Sequence, residues 1–265
     1  MHNANQRPFL WMVALSLAAP GVAAAQTPAS AAPAPPPPPW TGSAGFGLSL
    51  NRGNTATTNL NMSLDATHDP KTSSIWKFKG LYLRGETNGA LAVDRLYFEA
   101  RYERALTTRV YAFGNIQFLK DQFKDIDYLV APAGGVGYKL VATPVTTFNV
   151  DGGLGVKVEK TSSLEVQGDM AVESTRRRTD AVVTASDKFE HKLSATATLT
   201  QGFGALWKAQ DFGDALYTFT AGVAAALTAR TQLKVELLDT YASRPPTPAV
   251  KSNDVALLTA LVFKF

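Results

Sequence analysis

Few side chains in this chain have the chemistry of a catalytic centre. His68 and His191 are the histidines beyond the first residues, and Asp125 and Asp127 could form the carboxylate pair of a protease. A catalytic centre needs a base, a nucleophile and an orienting group within hydrogen-bond reach of one another. The two histidines lie near turns of different predicted hairpins, and the acids of KDQFKDID are typical of solvated charge. The sequence therefore predicts no enzyme and no catalytic residue.

Patterns that bind metals, cofactors or nucleic acids do not stand out either. The chain has no cysteine, so it has neither thiolate ligands nor disulfides. The GGVG stretch at 134–137 lacks the spacing of a phosphate-binding loop, and glycines within a strand commonly relieve crowding. The formal net charge of +4 is too mild to indicate nucleic-acid binding. We therefore expect no metal, no cofactor and no nucleic-acid partner.

Charged side chains recur at every second position in several segments. In DRLYFEARYE, Arg95, Glu99 and Arg101 alternate with Leu96 and Phe98. Successive side chains of a strand point to opposite faces, so each such segment has one polar and one apolar face. Inside a closed barrel the polar faces would line the lumen, where the charges could either interlock and plug it or line a narrow aqueous path. The predicted lumen-lining residues are Asp65, Lys77, Lys79, Arg95, Glu99, Arg101, Glu103, Asp151, Lys157, Lys234 and Glu236.

Three consecutive arginines, Arg176, Arg177 and Arg178, form a second charged feature within TRRRT. A guanidinium group can pair with a phosphate through two parallel hydrogen bonds. Near the outer leaflet of a membrane, these arginines would meet the phosphates of lipopolysaccharide. The alternative is a solvated loop that aids solubility.

The elements that position these side chains are long strands. About twelve segments alternate, and most have eleven or more residues, whereas ordinary strands average about five or six. A tilted strand needs about nine to eleven residues to cross a bilayer, and an unpaired sheet edge in lipid is costly. The predicted fold is therefore all-β, a closed antiparallel transmembrane β-barrel; a soluble sandwich would have shorter strands. The segments are 40–50, 56–68, 73–84, 92–104, 109–121, 127–142, 145–158, 177–188, 192–205, 214–227, 231–242 and 253–265.

The first residues predict export. Residues 1–25 have a short start with Arg7, an apolar run and the small residues VAAA, which is the pattern of a signal peptide. Residues 26–39 are rich in proline and alanine and favour an extended polyproline II linker. We therefore expect the barrel to occupy 40–265, after Sec-type export and a periplasmic linker.

The predicted connections differ at the two ends of the barrel. Connections at the predicted periplasmic end are tight, whereas those at 85–93, 160–177 and 242–253 are longer, as expected of outer-membrane barrels. The last strand ends with Phe263 and Phe265 on its apolar face. This ending resembles the C-terminal signal that the barrel-assembly machinery recognises in bacterial outer-membrane proteins, which implies that machinery as a partner during biogenesis.

From Trp40 onward the chain resembles the family of salt-induced outer membrane proteins. The resemblance rests on WTGSAGFGLSLNRGNTATTNLNMSL, on DYLVAPAGGVGYKL and on the terminal LVFKF. It implies an integral barrel in the outer membrane of a Gram-negative bacterium and names no catalytic residue. The chain departs from the family in its basic segment near 160–178 and in its alanine-rich tenth strand.

Two functions follow from these expectations. The barrel could be a narrow or occluded porin-like pore for small solutes or ions, linked to salt or osmotic stress by the family resemblance. The alternative is a non-conducting structural or lipopolysaccharide-binding barrel of the cell envelope. The expected partners are outer-membrane lipid, lipopolysaccharide and the assembly machinery.

Overall fold

A computed structural model describes residues 38–51, 57–167, 170–245 and 251–265. The predicted signal peptide and nearly all of the predicted linker lie outside these residues. The structure describes twelve strands and one short 3₁₀ turn at Gln122–Lys124. The strands are β1 (Trp40–Asn51), β2 (Thr57–His68), β3 (Ser74–Thr87), β4 (Ala90–Ala105), β5 (Val110–Asp121), β6 (Ile126–Ala142), β7 (Thr146–Gln167), β8 (Met170–Lys192), β9 (Ala197–Lys208), β10 (Asp211–Ala226), β11 (Thr231–Ala242) and β12 (Asn253–Lys264).

These strands form one closed antiparallel barrel. Each strand pairs with its neighbours in sequence, and β12 pairs with β1 to complete the ring. The predicted fold class is therefore confirmed. Because β1 begins and β12 ends at the same end of the barrel, we call it the terminal end and the opposite end the distal end. Among the described residues, no helix has the length and apolarity needed to cross a membrane.

The barrel buries the faces that point to its lumen and exposes apolar side chains on its outside. The strand register places odd-numbered residues of β1 to β7 and even-numbered residues of β8 to β12 on the inward face, apart from local bulges. Buried apolar side chains lie on this face, for example Leu83, Val182 and Leu238. On the outward face, Leu154 and Leu257 are 70% and 71% exposed. A barrel with this distribution is suited to a hydrocarbon surrounding.

Two of the three long connections predicted at the distal end are instead strand. β3 and β4 are joined by Asn88 and Gly89 alone, with φ of 52° and 78°, so the predicted loop at 85–93 is wrong. Asn-Gly favours the tight hairpin turn in which both residues have positive φ. β7 and β8 pair from Thr146–His191 to Gln167–Met170, so the predicted loop at 160–177 is also wrong. The threonine, serine and charged residues of this segment can form strands because the two strands of a hairpin pair each other's backbone N–H and C=O groups. This pairing does not require an apolar face.

The seam between β1 and β12 is the shortest ladder in the described parts of the barrel. It has four residue pairs, from Ser43–Lys264 to Phe46–Leu261, whereas β1 and β2 form twelve. Beyond these pairs, a side chain at Gly47 would collide with the carbonyl oxygen of Thr259, and the Asn61 amide donates to that oxygen at 3.3 Å. Glycine at position 47 therefore allows the two backbones to approach closely where regular pairing stops.

The last residue of the chain is fixed to the first strand. The Phe265 backbone N–H donates to the Gly42 carbonyl oxygen, and the Gly42 N–H donates back to the Phe265 carbonyl, both at 3.1 Å. Phe263 and Phe265, the predicted assembly signal, are both exposed on the outside of the barrel.

Candidate functional site in the lumen

Glycines in β6 and β7 make room for two aromatic rings in the lumen. A Cβ atom at Gly137 would overlap the Tyr111 ring, and a Cβ atom at Gly153 would lie 3.1 Å from Cζ of Phe113. Both rings, which come from β5, therefore lie close against the neighbouring strands, and both side chains are buried. The glycine-rich stretch that the sequence interpretation attributed to relief of crowding thus shapes the wall beside the largest charged cluster.

Arg101 of β4 is held on this aromatic surface. Its guanidinium carbon lies 4.0 Å from the centroid of the Phe113 ring, within the range of a cation–π contact. Its Nε donates to Oε1 of Glu103 at 2.8 Å, and its Nη2 donates to Oδ2 of Asp151 at 2.8 Å. Asp151 belongs to β7, so this side chain joins strands that are not neighbours in the sheet.

Further contacts occupy the remaining carboxylate oxygens. The Lys77 ammonium lies 2.7 Å from Oε2 of Glu103, and the Ser186 hydroxyl donates to Oδ1 of Asp151 at 2.7 Å. The Tyr111 hydroxyl also donates to Asp151, at 3.3 Å. Lys77, Arg101, Glu103 and Asp151, which we call the Arg101 network, contain two cations and two anions. Such a network is electrically neutral, and its carboxylates are fully satisfied, as low-dielectric interiors require.

A second set of polar contacts crosses the lumen nearer the distal end. Arg95 Nη1 of β4 donates to the Thr240 hydroxyl of β11 at 3.1 Å. The short turn after β5 folds inward, and its Lys124 ammonium lies 3.2 Å from the Asp254 carboxylate of β12. Lys124 is 3% exposed. Since β4 and β5 lie across the ring from β11 and β12, these contacts connect opposite walls of the barrel.

Apolar side chains fill the same distal level. This apolar layer is one cluster of buried residues, against which Tyr97 packs. All come from the inward faces of β5, β6, β8 and β9 or from the bulge that begins β6. Packed apolar side chains exclude water, so the layer narrows the lumen without any charge. Its members are Leu119, Ile126, Leu129, Ala131, Val182 and Leu206.

The remaining predicted lumen residues make local contacts or none. Lys157 and Lys234 form ion pairs with Glu159 and Glu236 at 2.8 and 2.6 Å. Glu99 accepts a hydrogen bond from the Tyr97 hydroxyl at 2.8 Å.

Two of the predicted residues belong to none of the ion pairs in the described part of the chain. Asp65 and Lys79 face each other across β2 and β3, both are exposed, and no ion pair joins them within the described residues. Only part of the predicted set is therefore brought together.

Several residues of the site were not predicted from the sequence. Tyr111 and Phe113 occupy inward positions of β5, next to β4, and Ser186 occupies an inward position of β8, next to β7. The alternation of side chains places all three on the inward face, but the prediction considered only charged residues. Lys124 could not be identified by parity because it lies outside the strands, on a turn that folds into the lumen.

The three predicted phosphate-binding arginines do not share one surface. Arg176 and Arg178 line a cavity at the distal mouth. Arg177 occupies the intervening position of β8 and therefore belongs to the outward face.

The residues considered for catalysis are engaged elsewhere. The His68 ring packs against Trp40 with ring centroids 4.7 Å apart, and His191 Nδ1 lies 2.8 Å from the Thr146 hydroxyl. Burial, followed by the nearby Asp127 carboxylate, raises the pKa of Asp125. Asp127 itself lies 3.0 Å from the Lys160 ammonium. In the part of the chain that the structure describes, no three His, Cys, Asp or Glu side chains are grouped to hold a metal.

Comparison with known proteins matches this chain to one family model over residues 44–265, that of "Protein of unknown function, DUF481". No curated protein sequence matches the chain. An outer membrane channel from Pseudomonas putida F1 has 13% identity and a TM-score of 0.49, over 88% of this chain and 97% of that chain. The NanC porin has 11% identity and a TM-score of 0.45, over 85% and 96% of the two chains. The translocator domain of autotransporter NalP from Neisseria meningitidis has 13% identity and a TM-score of 0.45, over 85% and 87%.

Proposed function

This chain belongs to the DUF481 family, and on that premise we propose that it is an integral outer-membrane β-barrel whose lumen is a narrow, normally occluded pore for small solutes or ions. The observation that supports the occlusion is the filling of the lumen at two levels. The Arg101 network lies nearer the terminal end, and the apolar layer with the Arg95–Thr240 and Lys124–Asp254 contacts lies nearer the distal end.

The outside of the barrel supports the membrane location. Aromatic side chains form one group at the terminal end, with Trp76 and Tyr102 4.9 Å apart, and another toward the distal end, with Trp207 and Tyr217 6.0 Å apart. Aromatic girdles on both sides of an apolar band are typical of outer-membrane barrels. The proposed orientation has the terminal end in the periplasm, and Phe263 and Phe265 would be recognised by the assembly machinery.

The proposed link to salt stress has a physical basis in the Arg101 network. Raising ionic strength from 0.1 M to 1 M shortens the Debye length from about 10 Å to about 3 Å, and pairs that solvent reaches are weakened most. The Lys77 side chain, which pairs with Glu103, is 36% exposed. High salt would therefore loosen this edge of the network first and favour an open lumen.

Single-channel recording in planar bilayers tests the pore. We expect rare, small conductance steps for the native barrel, which become more frequent above about 0.5 M salt as screening increases. Arg101→Ala should raise the open probability because it leaves Glu103 and Asp151 repelling each other. Arg104→Ala, an exposed position three residues further along β4, is the matched control.

The second candidate function is a non-conducting barrel of the envelope that binds lipopolysaccharide or serves a structural purpose. The full pairing of the Arg101 network favours it, since satisfied interior ion pairs also rigidify a barrel. Silence of the native protein, of Arg101→Ala and of the double variant Arg101→Ala/Leu119→Ala at every salt concentration and voltage would exclude the pore and leave this alternative.

A further inference from the structure

A cavity at the distal mouth has both a cationic rim and an apolar floor. It lies above the apolar layer and has a volume of about 100 Å³. The cations at its rim come from the turn after β5, from β7, β8 and β9, and from the segment after β11. They are Lys124, Lys157, Arg176, Arg178, Lys208 and Arg244.

Most of these cations are already paired. Lys157 pairs with Glu159 at 2.8 Å, Lys208 with Asp180 at 2.8 Å and Lys124 with Asp254 at 3.2 Å. Arg244 pairs with Asp211. These four cations are therefore neutralised within the protein and contribute hydrogen-bond donors more than net charge.

A single positive charge remains after this pairing. Arg176 and Arg178 have no ion pair within the described ranges, and the same holds for Asp214, which is the unpaired acid at the cavity wall. Two unpaired guanidinium groups against one unpaired carboxylate give the cavity an excess of one positive charge. Both arginines are exposed, so their donors are accessible to a ligand.

The floor of the cavity is buried and apolar. Leu129 and Leu206 belong to the apolar layer and are 4% and 9% exposed, and Leu216 of β10 lies beside them. An apolar floor in a cavity of this order of size accommodates a short alkyl chain or one small ring, since an apolar cavity of about 150 Å³ binds benzene. The two ends of the cavity thus select opposite ends of an amphiphile.

We propose that this cavity binds a small amphiphilic monoanion, a carboxylate with a short aliphatic or aromatic body. Its carboxylate is held by Arg178 and Arg176 through paired hydrogen bonds, and its body lies on Leu129 and Leu206. Binding does not require that the lumen conducts, so this proposal and the pore proposal can fail separately.

The proposal is tested by calorimetric titration of the full barrel, held in lipid nanodiscs, with three ligands of graded chemistry. Hexanoate carries both recognition elements, acetate lacks the body, and hexan-1-ol lacks the charge. We expect hexanoate to bind at least tenfold more tightly than either of the other two, because hexan-1-ol lacks the charge-assisted hydrogen bond and acetate lacks the buried alkyl body, and each loss alone is worth about tenfold.

Two variants at adjacent positions separate the cavity from general surface charge. Arg178→Gln should weaken hexanoate binding by about tenfold or more. Arg177→Gln removes the same charge from the outward face and should change the affinity by less than about twofold. Equal losses in both variants, or hexanoate that binds no tighter than acetate and hexan-1-ol, would overturn the proposal. If Arg178→Gln does not fold, the ligand series on the native protein still decides it.

One further outcome concerns lipid. Vesicles that contain lipopolysaccharide carry phosphates that arginines could also bind. If the native protein ignores hexanoate, and Arg178→Gln instead loses affinity for such vesicles, the cavity serves the membrane surface and the monoanion proposal is wrong.

Discussion

Nearer the terminal end, inward positions of the barrel carry Lys77, Arg101, Glu103 and Asp151, whereas nearer the distal end leucine, valine and alanine form the apolar layer, beside two polar contacts that cross the lumen. Both levels narrow the lumen, but they do so with opposite chemistry. The charged level depends on complete pairing, because an unpaired ion in a low-dielectric interior is strongly unfavourable. The apolar level depends on volume and tolerates small changes of shape. Two constrictions therefore lie in series along one lumen, one sensitive to the pairing of charges and the other to the volume of packed side chains.

The largest expected effect comes from breaking the charged level. Arg101→Ala leaves Asp151 without a cation and Glu103 with Lys77 alone, and should reduce the free energy of unfolding by about 3–5 kcal/mol. Arg104→Ala, which removes an exposed arginine from the same strand, should change it by no more than about 0.5 kcal/mol. Equilibrium unfolding in urea, with lipid vesicles present, measures both. Equal effects of the two variants would mean that the Arg101 network does not stabilise the barrel.

The next effect comes from the apolar level. Leu119→Ala should reduce the free energy of unfolding by about 2–4 kcal/mol through lost packing. In bilayer recordings this variant alone should conduct little more than the native protein, because under the proposed function the Arg101 network still closes the lumen. The double variant with Arg101→Ala should conduct far more than the sum of the two single variants. Ile116→Ala, on the outward face of the same strand, is the control and should leave conductance unchanged. Simple additivity of conductance would contradict two barriers in series.

A smaller effect is expected from changing the aromatic surface on which Arg101 lies, which the Tyr111 and Phe113 rings form. Gly137→Ala places a methyl group where the Tyr111 ring lies and should reduce the free energy of unfolding by about 1–3 kcal/mol. At Gly114 an added methyl group would have no described heavy atom within 4 Å, so Gly114→Ala should be neutral or slightly stabilising. The comparison uses the same unfolding measurement. A neutral Gly137→Ala would show that the ring can move without disturbing the network.

The smallest effect concerns an ion pair outside the lumen. At the terminal end, the Lys71 side chain and backbone N–H donate to Asp69 at 2.9 Å each and lower the pKa of that carboxyl. A lowered pKa in the folded state stabilises the protein above the unfolded-state pKa, and this contribution is lost as pH falls through the folded-state pKa. Asp69→Asn should therefore cost at most about 1 kcal/mol at pH 7 and nothing at strongly acidic pH. A cost that persists at strongly acidic pH would contradict the charge as its cause.

Alternation of side chains and strand length together were enough to predict the closed barrel and the central parts of its strands. A period of two determines which residues share a face, and strand length separated the barrel from a sandwich. Alternation could not predict that β7 and β8 continue as a long hairpin, because Ser162 and Thr175 carry no apolar face to signal a strand. The tight turn at Asn88–Gly89 could have been recognised from its residues, since such a turn requires positive φ at both central positions and Asn and Gly tolerate it.

The contacts between side chains within the site were harder to predict from the sequence. The contact between Arg101 and Asp151 depends on the tilt and register of four strands, and that between Lys124 and Asp254 depends on a turn that folds inward. Neither follows from the order of residues along one strand. Glycines at 137 and 153 gave a partial signal, since gaps in a wall of side chains imply that something large lies beside them.

The short seam between β1 and β12 makes the barrel mechanically uneven. The two edge strands of the sheet are joined by four residue pairs at the terminal end, and their ladder does not continue to the distal end. Thermal opening should start at the distal end and run down this single line, so the amides in the distal half of β12 that face β1 would be the first strand amides to exchange with solvent. A molecule that entered the wall sideways, a lipid tail or another strand, would meet the least resistance along that line.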